Sequence, residues 1–212
     1  MAFEFIETTE ELSHWEGILH QWIYINKETY KTTNSVHAPY SYRERPNISA
    51  LASAAVKAGW LALEECWLPK NNSFNEYHGR ADLMIWKENK SSIIEAKLTC
   101  DTFDKLKSKK IINRRDSSRE DAKKCLITKA SEHIALTFVI PRFEENQNNY
   151  SQNVTELIQF CRDLSPAPGL FATTFPGQVS RKTGDKNDDQ MFSSGVILIG
   201  EIVYPEQSCR AQ

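Results

Sequence analysis

Two short apolar runs hold charges where charge is costly, and that conflict limits the possible folds more than any other feature of the chain. Residues 81–86 read ADLMIW and residues 92–98 read SIIEAKL, so Asp82, Glu95 and Lys97 stand among residues suited to a buried or half-buried strand. An ionised carboxylate or ammonium in such a strand needs a partner, a hydrogen-bond network or a metal ion. Between the runs lies Lys87-Glu88-Asn89-Lys90-Ser91, a polar stretch that predicts a chain reversal and therefore an antiparallel hairpin. Residues two apart in a strand share a face, which groups Glu95 and Lys97 with Ile93 and sends Ile94, Ala96 and Leu98 to the other side. Asp82 shares its face with Met84 and Trp86. Pairing Trp86 with Ile93 sets Asp82 opposite Lys97 and diagonal to Glu95, close enough for all three to meet around one ion. A slip of one residue would separate them.

Upstream, residues 47–67 read as one alanine-rich helix with Asn47 as N-cap behind Pro46. Leu51, Ala54, Ala55, Ala58 and Ala62 form its apolar stripe, and Glu65 falls on that stripe. Glu64 falls on the opposite side with Ser53 and Lys57. A carboxylate on a packing face needs a partner, which favours Glu65 as a third acid, although a helix frayed by Glu64 would leave both glutamates at a polar end.

Downstream, residues 105–124 are basic. Lys105, Lys107, Lys109, Lys110, Arg114, Arg115, Arg119, Lys123 and Lys124 stand against Asp116, Glu120 and Asp121, nine cations to three anions in a chain whose formal charge is -2. Such a stretch suits phosphate contacts, with Lys123 or Lys124 facing the charged strands, and equally suits a solvated helix face. Residues 118–131 read as a helix, and residues 133–143 as a strand with a buried centre at 134–140. A polar loop over 144–152, a helix over 154–164 ended by Pro166 and Pro168, and strands over 170–175 and 196–204 complete the series. Glu201 in the last strand is expected to face solvent. The polar stretch 177–194, with Arg181, Lys182 and Lys186, reads as a loop. Trp15, Ile18, Leu19, Trp22 and Ile23 mark a packed helix near the start, followed by Tyr40, Tyr42, Arg43 and Arg45, a combination able to stack on bases and bind phosphates. His78 and Arg80 lie just ahead of Asp82, where either could touch a phosphate.

Asp82 in Arg80-Ala81-Asp82, then Glu95-Ala96-Lys97 after about a dozen residues, resembles the PD-(D/E)XK nuclease superfamily. Ala81 replaces the proline of the superfamily's name, and the resemblance covers residues 47–140. It implies a restriction-endonuclease-like α/β/α core, a central mixed sheet flanked by helices, with the strand at 134–140 beside the Glu95 strand and N- and C-terminal elaborations (1–46 and 150–212). It also implies a metal-dependent phosphodiesterase in which Asp82, Glu95, the backbone carbonyl of Ala96 and a helix glutamate, here Glu65, hold Mg²⁺, with Mn²⁺ able to substitute. Asp82 and Glu95 are the hard oxygen ligands that Mg²⁺ prefers, and Lys97 would orient or deprotonate a water or stabilise developing charge. DNA is the expected substrate and RNA the alternative, with a homodimer allowed. A catalytically silent module binding nucleic acid or protein is the competing expectation.

At 212 residues the chain suits one domain, with no repeat or linker that demands a second. Cys66, Cys100, Cys125, Cys161 and Cys209 are dispersed and lack zinc-ligand spacing, which fits a reducing compartment. No membrane-spanning run or signal peptide is read, so the cytoplasm is the expected location.

Overall fold

The computed structural model describes residues 3–71, 76–102, 109–125, 130–144, 149–164, 169–181 and 191–204. Lys105, Lys107, Pro166, Pro168, Lys182, Lys186 and Cys209, which entered the sequence expectations, lie outside the described residues, as does the side chain of Arg181.

The chain opens with strand β1 (Phe5–Thr8), a 3-10 turn (Glu10–Trp15) and helices α1 (Glu16–Thr32) and α2 (Glu44–Lys57). Strands β2 (Leu61–Asn71), β3 (Glu76–Lys87) and β4 (Lys90–Thr102) follow as an antiparallel meander. Helix α3 (Lys109–Lys123) leads to β5 (Glu132–Glu144), and α4 (Tyr150–Asp163) leads to β6 (Gly169–Thr174). Strands β7 (Val179–Arg181), β8 (Met191–Ser193) and β9 (Val196–Val203) complete the fold. The sheet runs β1-β6-β9-β5-β4-β3-β2, with β8 joined to β5 and β7 to β8. Among the described residues only β4 and β5 pair in parallel, as a crossover through a helix requires. The protein is therefore α/β with a mixed sheet, and the strand expected at 134–140 lies beside the Glu95 strand.

Alternation along the strands sends side chains into two cores. Trp15, Ile18, Leu19, Trp22, Leu51 and Ala55 pack with Leu83, Ile85, Ile94, Leu136 and Phe138 on the α1/α2 side. On the other side, Ile111, Val154, Leu157 and Cys161 pack with Val139, Phe171, Ile197 and Ile199. Each fully buried large side chain contributes roughly 1.5–3 kcal/mol. Helices thus cover both faces of the sheet.

Four expectations need correction. Residues 47–67 are not one helix: α2 starts three residues earlier, with Arg43 as its cap, and ends at Lys57. Gly59 takes the left-handed conformation (φ 82°), its N–H donates to the Val56 carbonyl and that of Trp60 to the Ala55 carbonyl, a Schellman stop. Asn47 is buried inside the helix, where its amide donates to the carbonyls of Pro39 and Arg43. Glu64 and Glu65 consequently lie on β2. Second, α3 begins at Lys109 and ends at Lys123, so most of the basic stretch is helix and Cys125 lies beyond it. Third, the 177–194 stretch contributes β7 and β8. Fourth, Glu201 is buried, with Arg119 3.2 Å away, and burial raises its pKa.

Candidate active site at a fork in the sheet

The β3–β4 hairpin turns at Glu88-Asn89, and Glu88 takes the positive φ (54°) that so short a turn demands. Trp86 pairs with Ser91 and Met84 with Ile93, two residues from the expected register. An even slip leaves every side chain on its face, so the grouping survives although the partners change. Pairing ends at Leu83 and Ile94, and there the strands part. Strand β3 continues against β2, while β4 continues against β5.

The parting leaves backbone donors of β4 without a strand partner, and buried N–H groups must be satisfied. Two carboxylates take them. Asp82 accepts from the Ala96 N–H at 2.7 Å, and Glu44, in the first turn of α2, accepts from the Leu98 N–H at 2.8 Å. Burial raises the pKa of both acids, opposed at Asp82 by the Ala96 hydrogen bond and at Glu44 chiefly by Lys97. The Asp82 charge also raises the pKa of Glu44.

Glu95 is 3% exposed, with its carboxylate 2.6 Å from Lys70 Nζ and 3.4 Å from Cys125 Sγ. Lys70 reaches it from the far end of β2, where it forms an isolated bridge with Cys125 behind α3. Burial pushes Glu95 up to about 7, against the downward pull of Lys70. Burial alone would lower Lys70, but the Glu95 carboxylate overrides it and holds the ammonium above its ordinary value. Lys97 pairs with Asp121 of α3 at 2.8 Å, and Asp121 also holds Lys124 at 2.9 Å. Desolvation works against the Lys97 charge, yet Asp121 raises its pKa, so Lys97 stands as a fixed cation.

Asp82, Glu95 and Lys97 are therefore brought together at the fork, and Lys124 joins them through Asp121. Glu65 lies on β2 between the pairs Glu64↔Leu83 and Cys66↔Ala81, across from Asp82. Its carboxylate is held by Arg45 and Arg80, each at 3.0 Å, instead of lying on a helix stripe. Glu64 accepts from Ser49 Oγ at 2.8 Å. Lys123 is paired with Glu120, and His78 is exposed on β3 across from Pro69. Tyr40 is buried, its hydroxyl donating to the Gly177 carbonyl, so the expected stacking surface at residues 40–45 does not include it.

Sequence reasoning missed Glu44, Lys70 and Asp121. Only Glu44 left a signal, because Pro46 suits the first turn of a helix and so marks a start ahead of Asn47.

Among the described residues no group of three or more His, Cys, Asp or Glu side chains is placed to hold a metal ion. A fit therefore rests on two carboxylates and the backbone. A strand residue's N–H and C=O point to the same side, so the Ala96 carbonyl opens on the gap that Asp82 enters. Mg²⁺ keeps several waters and takes one or two carboxylates, so Asp82, Glu95 and this carbonyl suit it in kind and number.

Compared with protein-family models, with curated proteins and with solved structures, the chain has no match.

Proposed function

We propose that the fork is the active site of a Mg²⁺-dependent phosphodiesterase that acts on nucleic acid, DNA first and RNA second, built on a restriction-endonuclease-like core. The observation that carries this reading is the convergence of Asp82, Glu95 and Lys97 where β3 and β4 part, with Glu95 buried and the other two half-buried. Asp82, Glu95 and the Ala96 carbonyl would hold the ion, which would supply Lewis-acid stabilisation and a water of lowered pKa. Lys97, paired with Asp121, orients the attacking water or stabilises charge on the phosphate. Asp121 and Lys70 position Lys97 and Glu95. Glu44 secures the backbone of β4 so that the Ala96 carbonyl stays aimed at the gap.

Linear, circular and single-stranded DNA and RNA, incubated with and without Mg²⁺ or Mn²⁺, provide the test. Cleavage should require the metal and should fall about a hundredfold or more in Asp82→Ala and Lys97→Ala. Unaltered metal-dependent cleavage by either variant sinks the mechanism.

One observation favours a second reading, a catalytically silent binding module. Lys70 already supplies a counter-charge for Glu95 at 2.6 Å, so the buried acid is compensated without a metal. Absence of cleavage of every substrate, together with no metal bound, would select it. Among the described residues no helix is long and apolar enough to cross a membrane.

A further inference from the structure

The β2–β3 hairpin carries an aromatic and basic surface beside the fork. Trp67 is 71% exposed, although an indole in water forgoes the large burial term such a side chain normally brings. Its cross-strand partner is Arg80, whose guanidinium lies 5.6 Å from the ring centroid. Glu65, two residues before Trp67 on β2, ties Arg80 to Arg45 through a pair at each oxygen. Both arginines stay open to solvent, with side chains 75% exposed for Arg45 and 52% for Arg80. Glu65 adopts a positive φ (55°), uncommon for a residue other than glycine, and its charge acts on Asp82. Arg80 and Asp82 are themselves two apart on β3. An exposed ring, two guanidinium groups and an acid of the fork thus occupy one short stretch of surface.

We propose that Trp67, with Arg80 and Arg45, forms a stacking site for an unpaired nucleobase beside the phosphate held at the fork, so that the substrate is single-stranded or locally unpaired nucleic acid. This rests on the phosphodiesterase reading above. An open indole face stacks on any base, whereas a duplex keeps its base faces covered. Each guanidinium can leave Glu65 for a phosphate oxygen, with the planar donor geometry that phosphate recognition uses. Glu65 keeps the pair of arginines in place until the strand arrives.

The test measures binding of a short fluorescein-labelled single-stranded DNA, and of the same sequence as duplex, by anisotropy in EDTA, so that nothing is cleaved. The wild type should bind the single strand more tightly. Trp67→Ala should weaken single-strand binding by about five- to a hundredfold and leave duplex binding unchanged. Trp67→Phe should keep most of the affinity, and Trp67→Leu, apolar without a π face, should behave like the alanine variant. Because Trp67 is exposed, these variants should melt with the wild type. Equal losses on both substrates, or no loss on either, overturn the stacking site. So does sedimentation showing that Trp67→Ala dissociates a dimer while oligonucleotide affinity is kept. If the wild type binds no nucleic acid in EDTA and cleaves none with Mg²⁺ or Mn²⁺, the phosphodiesterase reading falls as well. If it cleaves and Trp67→Ala binds like the wild type, the stacking site alone fails.

Discussion

Glu132 and Glu95 are carboxylates on neighbouring strands, both largely withdrawn from water, and the protein treats them in opposite ways. Glu132, at the start of β5, accepts hydrogen bonds from Trp15 Nε1 and His14 Nε2 at 3.0 Å each, and from Ser92 Oγ. Burial would raise its pKa, but these three donors, from the N-terminal turn and from β4, bring it below the ordinary value. Glu95 has one ammonium and one thiol, and burial keeps it raised. The first arrangement stitches the N-terminal turn, β4 and β5 together. The second leaves an acid whose charge is easily altered, as the proposed active site calls for.

The two acids should respond to substitution in opposite ways. Glu132→Ala should cost about 3–5 kcal/mol in denaturant unfolding, since the Trp15 and Ser92 donors are left unpaired, while cleavage per folded molecule should be unchanged. Replacing the fork pair by apolar groups should do the reverse. The double variant Lys70→Met/Glu95→Leu should be as stable as the wild type or more stable by about 1–4 kcal/mol, with cleavage abolished. A large loss of stability in the double variant would make the pair structural.

Acidity gives the finest distinction. Glu132, lowered from 4.5, contributes stability that is present above that value and lost as the pH falls through it and below. Glu95, raised from 4.5 to about 7, contributes stability that is full below 4.5 and lost as the pH rises towards 7. The melting temperature of the wild type relative to Glu95→Gln should therefore decline by roughly a few degrees across that window and level off above it. Relative to Glu132→Gln, the wild type should gain as the pH climbs past 4.5. Parallel curves would erase the distinction between the two acids.

The sequence disclosed most where apolar periodicity speaks directly. Ile18, Leu19 and Trp22 marked α1, Val154, Leu157 and Cys161 marked α4, and the hairpin was legible in its two charged apolar runs. Alanine propensity carried the expected second helix past Gly59, where a left-handed stop outweighs it and β2 begins. That single boundary moved Glu65 from a helix stripe to a strand opposite Asp82. The register missed by two residues because the chain reverses over two residues instead of five. Glu44, Lys70 and Asp121 stayed hidden for a different reason. Each acts through tertiary placement: one on a backbone N–H freed where strands part, one from the far end of β2, and one across the gap from α3.

Titration of the protein with Mn²⁺, followed by calorimetry alongside the spectrum of the free ion, tests the metal site proposed at the fork. Site-specific binding to the wild type, lost in Asp82→Asn while the melting temperature is kept, is the predicted result. No binding to the wild type, or binding undiminished in Asp82→Asn, would contradict a metal site at the fork.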